Sequence, residues 1–170
     1  MKRMLIAMES NHPLHYHPKT NSVKIVLDSQ EICNDILRLG GKLRKSLNVK
    51  WPNVPCEYLP DFVRGFFDGD GCVYNSRNLT LASIVCGSKE FITGLENAVR
   101  KYVPDIGKSK SKKGGFYVRK RKGHRYLDLH ISGYNVIKFG EYIYRGFRPT
   151  IMAMERKRRM FIAIMESSDV

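Results

Sequence analysis

Apolar residues along this chain switch repeatedly between a spacing of two and a spacing near 3.6, which predicts strands and helices in alternation. Residues 4–8 and 22–27 read as short strands flanking a loop rich in histidine and proline. Asp28 or Ser29 can cap a helix over 30–39, whose Ile32, Ile36, Leu37 and Leu39 share a face, and Gly40-Gly41 stops it. Residues 42–56, with Pro52 and Pro55, read as an ordered connector. The run 58–67 suits a helix with Pro60 in its first turn. A strand over 79–86 follows, and Ser88 caps a helix over 89–103 with Phe91, Ile92, Leu95, Val99 and Val103 as its apolar stripe. Strands near 107–112, 115–121 and 125–132, then helices over 135–144 and 150–165, complete the order.

Charge changes this picture. There are 30 Lys and Arg against 16 Asp and Glu, a formal net charge of +14. Such an excess attracts polyanions. Between residues 108 and 125 lie nine basic residues and no acidic one, so the excess is a patch inside the folded region. Alternation in 116–121 puts Tyr117, Arg119 and Arg121 on one face and Phe116, Val118 and Lys120 on the other. Tyr126, Asp128 and His130 likewise oppose Leu127, Leu129 and Ile131. At 170 residues and 42% hydrophobic content, the chain can bury one good core plus an appendage. No apolar run reaches the length of a membrane span, and no signal-peptide pattern is present. Cys33, Cys56, Cys72 and Cys86 lack paired metal spacing and read as core or half-buried thiols of a reducing, intracellular compartment. His12, His15 and His17 read as an exposed loop.

The candidate chemistry sits at Val63-Arg64-Gly65-Phe66-Phe67-Asp68-Gly69-Asp70-Gly71. Gly65 and Gly69 each cost a helix roughly 1 kcal/mol relative to alanine, a cost that makes sense where another helix backbone must come close. Asp68 and Asp70 fall at the helix C-terminus, where the carbonyl dipoles are also negative. A divalent cation reverses that repulsion.

These nine residues resemble the signature of the LAGLIDADG, or DOD-type, homing endonucleases, with Arg64 standing where a small residue is usual. The resemblance covers about 58–165 and implies an α+β fold, an antiparallel saddle-shaped sheet packed on helices. Residues 1–54 are expected to hold a partial repeat plus connector, since 23–32 resembles the close of a first unit and echoes 127–136; 166–170 is a tail. The resemblance implies a site-specific endonuclease that hydrolyses duplex DNA with Mg²⁺ (or Mn²⁺), encoded in a mobile element such as an intron or intein. The start at Met1 and the lack of splicing-junction residues favour a freestanding or intron-borne reading frame. It further implies that Asp70 and the Gly69 carbonyl hold metal, and that Gly65, Phe66 and Asp68 form the motif-helix interface. Arg156 or Lys157 assists at the phosphate. Asn78, Thr80, Lys113, Tyr117, Arg119, Arg121 and Arg125 meet DNA. A polar, water-organising side chain is expected near Ser83 or Ser88, although the nearest aligned position is Gly87. Only one complete motif is present, so cutting both strands calls for a homodimer or a second LAGLIDADG half. The alternative is a cleavage-deficient DNA- or RNA-binding derivative, such as an intron-splicing maturase acting on intron RNA.

Overall fold

A computed structural model describes residues 2–41, 47–76, 79–108, 114–120, 123–146 and 152–168. The chain forms two units, residues 1–37 and 38–170. The first opens with helix α1 (Lys2–Ala7), where a strand was expected. Met4, Leu5, Ala7 and Met8 are all good helix formers, and only Ile6 is β-branched. Strands β1 (His15–His17) and β2 (Ser22–Lys24) form an antiparallel hairpin. Helix α2 (Gln30–Arg38) follows, its Ile32 N–H donating to the Ser29 hydroxyl at 3.2 Å.

In the second unit, helix α3 (Leu59–Asp70) runs directly into strand β3 (Gly71–Ser76), a strand the apolar pattern did not predict. Strand β4 (Leu79–Cys86) and helix α4 (Lys89–Tyr102) come next. Ser88 caps α4, its hydroxyl accepting from Phe91 N–H at 3.2 Å and donating to the Val49 carbonyl at 2.6 Å. That second bond pins the connector, and Trp51 packs so closely on Gly94 that a Cβ there would lie 2.5 Å from the indole. Strands β5 (Phe116–Lys120) and β6 (Leu127–Ser132) precede helices α5 (Tyr134–Ile143) and α6 (Glu155–Glu166). Gly107 and Lys108 are not in a strand; the rest of the strand expected over 107–112 lies outside the described residues.

The larger sheet is antiparallel throughout, in the order β3-β4-β6-β5. Val73, Ala82, Ile84, Leu129, Ile131 and Phe116 are buried on the face the helices cover. Leu59, Val63 and Phe67, at helical spacing of four, turn one side of α3 into that core. Phe67 meets Phe139 edge-on at 5.4 Å, and Phe161 packs at 5.5 Å. The opposite sheet face is open: Tyr74, Val85 and Tyr117 are exposed there. The architecture is α+β.

Candidate active site and nucleic-acid face

Both motif aspartates lie in the last turn of α3, and they have different surroundings. Asp68 accepts from the Tyr144 hydroxyl and from the Met154 backbone N–H, both at 2.8 Å. It thereby ties the end of α3 to the end of α5 and the start of α6. Burial and the Asp68 hydrogen bond push the Tyr144 phenol far above its ordinary pKa. Asp68, expected at the motif-helix interface, is an internal tether. Asp70 is exposed and makes no hydrogen bond or ion pair with any other described residue.

Beneath them sits Lys157, only 4% exposed. Its ammonium donates to the carbonyls of Phe67 and Asp68 at 2.8 Å each and to that of Gly71. A helix end leaves its last carbonyls without intrahelical partners, and a cation there also opposes the dipole. Burial pulls the Lys157 pKa down, with Asp68 opposing that pull. All three N–H donors are committed to backbone, so Lys157 braces the helix end and does not reach outward to a phosphate. Arg156, its neighbour on α6, is exposed.

The outer side of α3 is bare. A Cβ at Gly65 or Gly69 would meet nothing within 4 Å. A concavity of about 590 Å³ runs along this side, lined by Phe62, Gly65, Phe66, Asp70, Val85 and Phe91, among others. Phe66 lies edge-on to Phe91 at 4.8 Å. Gly87 lines the same wall, whereas the Ser88 hydroxyl is committed to its cap and to Val49. Gly71 is the one motif glycine that is crowded: a Cβ there would come within 2.6 Å of the Phe67 carbonyl oxygen. Only glycine permits the immediate turn from helix into strand.

Register sorts the expected DNA contacts. Cys72, Ser83, His130 and Tyr117 form one row across the open face, and Val85, Asp128 and Arg119 form the next. Tyr117 is exposed and packs against His130 with ring centroids 5.2 Å apart. Arg119 pairs with buried Asp128, its Nη2 2.9 Å from Oδ2. Thr80 shares the parity of Ala82 and Ile84 and bonds Asn75 at 3.0 Å, so it stands on the helix-covered face and not the open one. Arg125 is exposed beside the start of β6. Asn78, Lys113 and Arg121 lie outside the described residues. Three of the four cysteines, Cys33, Cys56 and Cys72, are exposed, against the expectation of core or half-buried thiols. They fall on a short helix, a turn and the open sheet face, where no core covers them. Pattern reading put Asp128 on this face without its ion pair, and it missed Tyr144 and the reach of Arg64, which is buried and donates to the carbonyls of Met152 and Ile143 while pairing with Asp61.

Among the described residues no three His, Cys, Asp or Glu side chains converge on one point. A single exposed carboxylate fits Mg²⁺, which usually takes one or two carboxylates and fills its remaining positions with water and phosphate oxygens. A family model for the LAGLIDADG-like domain matches residues 57–144. The chain therefore belongs to the LAGLIDADG-like family. No curated protein matches it.

Proposed function

We propose that this chain is a site-specific DNA endonuclease of homing type, hydrolysing phosphodiester bonds in duplex DNA with Mg²⁺ or Mn²⁺ held at Asp70. The observation that carries this reading is the contrast at the end of α3. Asp68 accepts two hydrogen bonds, while Asp70, two residues on, is exposed and makes no hydrogen bond or ion pair with another described residue, at a wall shared with the open-face residue Val85. Asp70 and the Gly69 carbonyl would hold the ion, which would supply Lewis acidity toward a phosphate and its attacking water. Lys157 neutralises the neighbouring carbonyls and fixes the direction in which Asp70 leaves the helix. The bare Gly65–Gly69 side offers close approach to a second motif helix, from another copy of the chain or a second LAGLIDADG half. Duplex DNA would lie on the open sheet face.

Nicking of supercoiled plasmid tests this. Wild-type protein should nick with Mg²⁺, and Asp70→Asn should abolish nicking while duplex binding survives. Nicking that persists at the wild-type rate in D70N would reject the metal assignment. The second reading, a cleavage-deficient binder of DNA or intron RNA, is favoured by the single complete motif. It predicts binding without metal-dependent nicking in the wild type as well.

A further inference from the structure

The geometry points to Asp128 as a specificity-determining residue that sets Arg119 to read one guanine in the major groove. This rests on the proposed placement of duplex DNA on the open face and adds to it. Arg119 Nε lies 3.0 Å and Nη2 2.9 Å from the same Asp128 oxygen, Oδ2. Asp128 is 0% exposed, whereas the Arg119 side chain keeps 35% of its surface. The carboxylate is therefore covered, while part of the arginine side chain stays accessible.

A guanidinium has five N–H donors in a rigid plane. Asp128 engages the Nε–Nη2 side, which among the described residues leaves the Nη1–Nη2 end with two parallel donors. That pair matches the O6 and N7 acceptors guanine presents in the major groove. An unbraced arginine loses rotamer freedom on binding, and a braced one has already lost it. Position supports the same conclusion. Arg119 and Asp128 are opposite each other in register, in the row that begins with Val85, which lines the concavity with Asp70. Two strand spacings, about 10 Å, separate Arg119 from Val85. The guanine would thus lie near the bond proposed for cleavage.

Selection of a randomised duplex DNA library by the full chain tests the assignment. Wild-type protein should enrich a site with an invariant G·C pair. Arg119→Lys, which keeps the charge and the exposed position, should lose the preference at that pair by about 10-fold or more while other positions stay fixed. Asp128→Asn should relax the same pair more mildly, and thermal melts should show both variants folded. A selected site that is unchanged in both variants makes the pair purely structural and overturns the inference. A wild-type protein that enriches no site overturns the DNA reading itself, and the inference with it.

Discussion

Helix α3 has two sides, and they differ in how completely their groups are satisfied. Inward, Val63 and Phe67 are fully buried, Arg64 bonds two carbonyls and an aspartate, Asp68 accepts twice, and Lys157 closes the helix end. Outward, two glycines have open space over them and Asp70 makes no hydrogen bond or ion pair with another described residue. The inner side gives the outer one its precision. A carboxylate can be left unengaged in a fixed place only if the backbone that bears it is held by something else. Asp68 and Lys157 hold that backbone.

Substitutions at the two aspartates break this comparison most sharply. Asp70→Asn should remove metal-dependent nicking by at least about three orders of magnitude, yet leave denaturant stability within about 0.5 kcal/mol of wild type, as for other exposed sites. Asp68→Ala should do the reverse in kind. Two charge-assisted bonds at roughly 1.5–3 kcal/mol each are lost, so a drop of about 3 kcal/mol in urea unfolding is expected. Lys157→Met should cost about 2–3 kcal/mol in the same measurement, because the partly buried carbonyls of Asp68 and Gly71 lose this charged donor. Arg156→Ala should change stability by less than about 0.5 kcal/mol. Equal effects of these two would deny Lys157 its bracing role.

Gly65→Ala sharpens the comparison from the outer side. In an isolated chain it should raise stability by roughly 0.5–1 kcal/mol, since the added methyl meets nothing and alanine favours helix. It should also weaken self-association and nicking, because the same methyl obstructs a second helix. Raised stability with unchanged activity would mean that nothing docks there. A pH dependence belongs to the inner side. Tyr144 keeps its proton in the native state well above the pH, about 10, at which an unfolded tyrosine loses it. Its contribution is therefore full below pH 10 and declines above it, by at most about 1.4 kcal/mol per pH unit. Tyr144→Phe should flatten that alkaline decline in chemical denaturation.

Much of the larger unit is legible in the amino-acid sequence. The nonapeptide located α3, Ser88 announced α4, and the stripe of Ile92, Leu95 and Val99 is the buried face of that helix. Other features depend on information that periodicity lacks. In β4 both faces carry apolar residues, Leu81 and Val85 on one and Ala82 and Ile84 on the other, so alternation alone could not place Thr80. Arg156 and Lys157 are adjacent on α6, and which one turns inward depends on where the helix begins, at Glu155. The link from Asp68 to Tyr144 spans 76 residues and is set by how α5 packs on α3. Chemistry near the motif was readable because it is local. The supports that hold it are distant in sequence.

Gly71 has a mechanical consequence. Because α3 becomes β3 across one peptide link, no slack separates the helix from the sheet. A tilt imposed on α3 by anything resting against Gly65 passes straight into Cys72 and Tyr74 rather than being absorbed in a loop. Whatever presses on that side therefore also adjusts the pitch of the sheet's first strand, as a crank turns its shaft.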